Sequence, residues 1–148
     1  MARVIRGVGV SPGVAVGRAL PWQPLVAPEP SRFPRPGSSA AEEIQRFAFA
    51  RRNAREELRG LNSRLMTTPG ESYAAILGAQ TLLVDDPALV AEVENRVRTE
   101  GVSASFAVHA TIDAYVARFD SIEDRYLRDR AGDLRDLQRR LIRLLEPA

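Results

Sequence analysis

From residue 125 to the end of the chain the apolar positions run Leu127, Leu134, Leu137, Leu141 and Leu144. Steps of three and four lay side chains along one face of a helix, and such a face must be covered by another element. The gap between Leu127 and Leu134 leaves one step open, and counting by threes puts Arg130 in it. A guanidinium on a core-facing stripe destabilises unless carboxylates or carbonyls satisfy it. Position 130 therefore reads either as paired at the edge of a bundle or as kept for a partner.

The same periodicity governs most of what precedes it. Ser38 or Ser39 can cap a first long helix with Glu42 and Glu43 in its first turn, and Ile44, Phe47, Ala54, Leu58, Leu61 and Leu65 form its stripe. Thr67-Thr68-Pro69-Gly70 ends it. A second helix is expected from about Glu71 to Val84, broken at Asp85-Asp86-Pro87, where Asp86 suits the N-cap and Pro87 the first helical position. A shorter helix carries Leu89, Val90, Val93 and Val97 to Gly101. Ser103 caps a third long helix with Phe106, Ala107, Ala110, Ala114 and Phe119 as its stripe, and a fourth runs from near Asp120–Glu123 to Glu146-Pro147. Short connections predict antiparallel neighbours, hence a mainly α chain whose residues 38–146 form an antiparallel helical bundle.

Residues 1–20 read as β instead. Val4, Ile5, Val8, Val10, Val14 and Val16 keep a period of two, with glycines between them and Ser11-Pro12-Gly13 as a turn. Two short strands make too small a sheet to stand alone, and no later segment reads as strand, so the expectation is a fragment whose sheet lies elsewhere. Residues 21–37 carry six prolines and read as an extended connector.

Composition removes several chemistries. There is no cysteine, so disulfides and thiolate catalysis are excluded, and every basic residue is arginine, so a Schiff-base or phosphate-loop lysine is excluded too. No apolar run is long enough to span a bilayer, and nothing at the start reads as a signal peptide, so a cytoplasmic protein is expected. The net charge is only +2, but its distribution is uneven. Glu71, Asp85, Asp86, Glu92 and Glu94 lie in a stretch, 66–95, that has no basic residue, whereas 46–64 and 125–143 are arginine-rich. An acidic patch on a mildly basic protein points to a basic protein partner. An arginine-rich bundle that binds nucleic acid is the weaker alternative, because carboxylates are interspersed on the same helices. His109, the one histidine, has only Asp113 at helical spacing and cannot build a metal site by itself, and Asp86 is explained as a cap rather than as half of a catalytic carboxylate pair.

Three blocks then carry a resemblance in order and spacing. They are Gly7-Val8-Gly9-Val10-Ser11-Pro12-Gly13-Val14-Ala15-Val16-Gly17-Arg18-Ala19, Ile76-Leu77-Gly78-Ala79-Gln80-Thr81-Leu82-Leu83-Val84-Asp85-Asp86-Pro87-Ala88-Leu89, and Asp124-Arg125-Tyr126-Leu127-Arg128-Asp129-Arg130-Ala131-Gly132-Asp133-Leu134-Arg135-Asp136. Together they resemble the N-terminal part of bacterial enzyme I, the phosphoenolpyruvate–protein phosphotransferase of the sugar phosphotransferase system. The resemblance implies that residues 1–20 are leading strands of an incomplete α/β phosphohistidine domain, 21–37 a proline-rich linker, and 38–146 a helical domain that docks the phosphocarrier HPr. It further implies that Glu71, Gln80, Leu82, Leu83, Asp86, Leu89 and Arg130 face that partner, with Leu82, Leu83 and Leu89 as an apolar patch rimmed by Glu71 and Asp86. The family's Gly-Gly-x-x-Ser-His-Thr type motif is absent from these 148 residues, and His109 stands in the wrong block to replace it. No catalytic residue, cofactor or metal is therefore expected here, although Mg²⁺ is implied for a full-length parent. The fragment is expected to be a monomer and the parent a homodimer. The carrier, an HPr-type protein of a sugar branch or of a nitrogen-type or multidomain regulatory branch, is left open by departures such as Gln80, Ser72 and Ala88.

Overall fold

A computed structural model describes residues 12–14, 16–17, 29–65, 80–121 and 125–146, the side chains at 62, 64, 65, 120 and 125–130 excepted. The regular secondary structure within them is helical. Helix α1 spans Ala40–Leu65, α2 Pro87–Glu100, α3 Ala104–Asp120 and α4 Arg125–Leu145, with a helical stretch at 80–84 ahead of α2. No strand occurs among the described residues, and the expected two-stranded segment at 1–20 lies almost wholly outside them, as does the expected second helix before residue 80.

Local chemistry sets the boundaries. At the start of α1 the Ser39 amide donates to Glu42 Oε2 (2.6 Å) while the Glu42 amide donates to Ser39 Oγ (3.3 Å), a reciprocal capping box. The Ser39 amide and hydroxyl hold the Glu42 carboxyl below its usual range. Ahead of it the Ser38 amide donates to the Arg35 carbonyl (2.9 Å) across Pro36-Gly37, and Gly37 has φ +81°, the value that the third residue of a type II turn requires. Asp86 Oδ1 accepts from the amides of Ala88 (2.8 Å) and Leu89 (3.0 Å), Pro87 opens α2, and Gly101 at φ +63° closes it. Ser103 Oγ accepts from the Phe106 amide (3.1 Å) to start α3. Removing one such cap, as in Asp86→Ala, is expected to lower the free energy of unfolding by about 1 kcal/mol in urea titrations.

Helix α3 is the centre of the bundle and packs against α4, α2 and α1. Its core positions are Ala104, Ala107, Val108, Ile112 and Val116, whereas Phe106 and Phe119 are only partly buried. A helix covered on several sides is apolar nearly all round, which is why a single stripe misassigns its faces. In α1, Ala50 joins Phe47, Ala54 and Leu58 in the core, while Leu61 is 39% exposed. In α4 the open step of the leucine stripe closes at Ala131, which is fully buried and leads to Leu134, Leu137 and Leu141. The core beyond Leu141 runs through Ile142 and Leu145, with Leu144 only partly buried. Ala131 therefore holds the core position one turn before Leu134, and the inference of a missing core residue at position 130 is corrected. Backbone at position 130 is α4 helix.

One end of the bundle is tied by a buried carboxylate. Glu43 is fully buried; its Oε2 accepts from the Ala104 amide at the start of α3 (2.8 Å) and its Oε1 from Ser38 Oγ (2.9 Å). Arg46 Nη1 donates to both Glu43 oxygens (2.7 and 2.9 Å), and Arg46 Nη2 donates to the Leu145 carbonyl at the end of α4 (2.7 Å). An anion sits at one helix N-terminus and a cation at another's C-terminus, each favoured by the helix dipole. Ser105 Oγ adds a bond to Glu146 Oε1 (2.7 Å). These contacts place the N-termini of α1 and α3 beside the C-terminus of α4. So α1 runs parallel to α3, and both run antiparallel to α4.

Candidate functional site

The turn from the 80–84 stretch into α2 carries most of the sequence-flagged residues. In it the Asp85 amide donates to the Leu82 carbonyl (3.2 Å) and the Asp86 amide to the Leu83 carbonyl (3.2 Å), so the helical coil tightens before Pro87 restarts it. Val84 and Gln80 point inward at 1% and 6% exposure. Leu82, on the opposite side of the same coil, is 77% exposed, and Leu83 lies between them, packed partly on the core.

The other flagged positions divide. Leu89 is 2% exposed and belongs to the core of α2 with Val93 and Val97, so it does not extend the exposed apolar surface. Its register explains this, because positions 89, 93 and 97 step by four along the inner face. Gln80 is likewise buried rather than presented to solvent. Asp86 is half-buried and committed to capping. Glu71 and the Arg130 side chain lie outside the described residues. Of the three leucines, the structure leaves Leu82 as the projecting one.

The acidic character of this stretch is also offset in space. Asp85 Oδ1 accepts from Arg51 Nη2 (2.9 Å) and from Arg55 Nη2, and Arg51 Nε donates to the Val84 carbonyl (2.9 Å). Partial burial works against ionisation of Asp85, but the Arg55 and Arg51 guanidiniums outweigh it and hold the carboxyl below its ordinary range. Glu92 pairs with Arg96 (3.2 Å) and Glu94 with Arg98 (2.6 Å). The run of carboxylates without a basic neighbour in sequence therefore meets arginines from α1 and from the next turn of α2. The arginine-rich helices are similarly offset, since Arg140 and Arg143 share Glu57 (2.6 and 2.7 Å) and Arg139 pairs with Asp136.

His109 joins α3 to α4. Its Nδ1 lies 3.1 Å from Gln138 Nε2 and its Nε2 lies 3.3 Å from Asp113 Oδ2. Gln138 Nε2 also donates to Asp113 Oδ1 (2.7 Å) and to the His109 carbonyl (3.1 Å), a structural arrangement around a partly exposed imidazole. Among the described residues no three His, Asp or Glu side chains gather closely enough to hold a metal ion. No described helix is long and apolar enough to cross a membrane.

Comparisons with known proteins bear on this arrangement. The model of the family described as PEP-utilising enzyme, N-terminal, matches residues 6–130. The phosphoenolpyruvate-protein phosphotransferase of Bacillus sp. (strain S) is 29% identical over 140 residues, covering 95% of this chain and 24% of that protein. That of Cupriavidus necator is 32% identical over 148 residues, all of this chain and 25% of that protein. The chain thus spans about a quarter of the length of the curated relatives it matches. The solution structure of enzyme I (nEIt) superposes with a TM-score of 0.69 at 36% identity, over 72% of this chain and 43% of that one. The N-terminal domain of Enzyme 1 – Nitrogen gives 0.67 at 33% identity, over 72% and 44%.

Proposed function

The chain belongs to the PEP-utilising enzyme, N-terminal family, and on that premise we propose that it is the carrier-docking part of an enzyme I-type phosphoenolpyruvate–protein phosphotransferase. The observation that carries the proposal is the match over residues 6–130 together with the helical fold it shares with the enzyme I neighbours. In this reading 38–146 is the helical docking domain, 1–20 belongs with a phosphohistidine domain, and 21–37 links the two. The helical domain holds an HPr-type carrier so that phosphate passes between a histidine of the parent and one of the carrier. The helical domain is read as supplying recognition, because the family's phosphohistidine motif is absent from these 148 residues and His109 stands in another block.

The docking surface centres on Leu82, with Leu83 and Asp86 beside it and with Glu71 and Arg130 assigned by the resemblance. An exposed leucine rimmed by paired charges suits a partner surface that is itself apolar at its centre and polar at its edge. The ion-paired arginines of α1 and α4 favour this reading over a nucleic-acid interface, which needs cations free to meet phosphates.

Titrating the ¹⁵N-labelled chain with the HPr-type carrier of the same organism tests the proposal. Amide shifts are expected around residues 80–86, and none at millimolar carrier overturns it. Leu82→Ala is expected to weaken binding by roughly tenfold or more, as for a central apolar anchor, while the thermal midpoint stays near that of the wild type because the side chain is already in water.

A further inference from the structure

We propose that Asp85, Arg51 and Arg55 form a positioning clamp that holds the Leu82 turn in its docking-competent pose. The inference rests on the docking reading above. Two side chains of α1 reach the same short turn by different routes. Arg51 Nε takes the Val84 carbonyl (2.9 Å), a backbone acceptor left open where the coil ends, and Arg51 Nη2 takes Asp85 Oδ1 (2.9 Å). Arg55, one helical turn further along α1, takes the same Asp85 oxygen. Backbone and side chain of two consecutive residues are thus fixed to one rigid helix.

Position makes this clamp consequential. Leu82 lies three residues before Asp85 and its carbonyl accepts the Asp85 amide (3.2 Å), so the clamped residue is bonded directly to the residue that carries the exposed side chain. On its other flank, Asp86 caps α2 through the Ala88 and Leu89 amides. The turn is held by a cap below and by the clamp above, while Leu82 itself makes little contact with the protein at 77% exposure. An exposed anchor has no packing of its own to define its direction, so its pose is set by the backbone that carries it. Asp85 is accordingly a positioning residue that acts through Leu82, and its carboxylate is already engaged by two guanidiniums and does not need a partner's cation.

Binding kinetics separate these roles. A carboxylate that steers a basic partner changes the association rate and its salt dependence, whereas a residue that positions an anchor changes the dissociation rate. With the HPr-type carrier of the same organism, Asp85→Ala, which removes the acceptor that both guanidiniums use, is expected to raise the dissociation rate by roughly fivefold or more, leaving the association rate and salt dependence near those of the wild type. Amide hydrogen exchange in the free variant is expected to speed up at Asp85 and Asp86 while the amides of α3 keep their protection, which shows that the bundle remains folded. Asp85→Glu is expected to recover most of the dissociation rate. An unchanged dissociation rate in Asp85→Ala, with wild-type binding intact, overturns the clamp alone. A lower association rate with a flatter salt dependence overturns it in favour of direct steering. A wild-type chain that does not bind the carrier overturns the docking reading, and the positioning role with it.

Discussion

Replacing Glu43 with alanine is expected to lower the free energy of unfolding by about 3–5 kcal/mol, the range for breaking a buried, hydrogen-bonded ion pair by removing one partner. Four bonds reach this carboxylate, from Ser38, Ala104 and twice from Arg46, and its side chain is fully buried. Alanine leaves the partly buried Arg46 guanidinium without its counter-ion and the fully buried Ala104 amide without an acceptor. Glu43→Gln keeps the shape and one acceptor oxygen, and is expected to cost less, about 1–3 kcal/mol, the scale of a hydrogen bond to a charged group. The same site predicts a pH dependence. Burial opposes ionisation of Glu43, but the bonds from Ala104, Arg46 and Ser38 win and place its folded-state pKa below the reference value of 4.5. A lowered folded-state pKa means stability that is fully present above about pH 4.5 and is lost as pH falls through the folded-state value. Urea titrations across this acid range are expected to show a shallower loss for Glu43→Gln than for the wild type, because amide and carboxylic acid are then alike in charge. Equal acid slopes for the two proteins would contradict the assignment.

Glu43 also shows where periodicity informs and where it misleads. The stripe of α1 steps back from Ala54 through Ala50 and Phe47 to position 43, so helical spacing alone puts a carboxylate at the head of the core, with Arg46 one turn on. Capping logic hides it, because an acidic residue in a first turn is already explained by the dipole. In α4 the opposite happens. A count of leucines marks Arg130 as an intruder, whereas Ala131 closes the step, and alanine carries little weight in such a count although it is fully buried. The caps were legible because their chemistry is local: Asp86 before Pro87, Ser103 before α3, and Gly101 at the end of α2 all stand where the sequence predicts them. Charge pairing was not, because Asp85 meets arginines thirty and thirty-four positions earlier, and no window along the chain brings 51, 55 and 85 together. The candidate surface inherits both effects. Leu82, Leu83 and Leu89 look equivalent as letters, and only the register of the coil before Asp85 and of α2 after it separates the exposed one from the buried one.

That separation yields the second large effect. Leu89→Ala is expected to destabilise the chain by about 2–4 kcal/mol, as for a buried leucine in a core that cannot collapse fully around the vacancy. Leu89 is 2% exposed and lies one helical turn before Val93, which is 1% exposed, on the inner face of α2. The substitution keeps the amide that donates to Asp86 Oδ1 (3.0 Å), so the cap survives and the loss reports on the side chain alone. Alanine is also the better helix former, which trims the effect by only a few tenths of a kcal/mol. If Leu89 instead acted as an exposed docking knob, its truncation would leave stability within about 0.5 kcal/mol and act on binding alone. Urea unfolding of Leu89→Ala beside Leu82→Ala decides the matter. A low midpoint for the first and a wild-type midpoint for the second place one leucine in the core and the other at the surface, and reduce the apolar anchor available to a carrier to Leu82 and the exposed edge of Leu83.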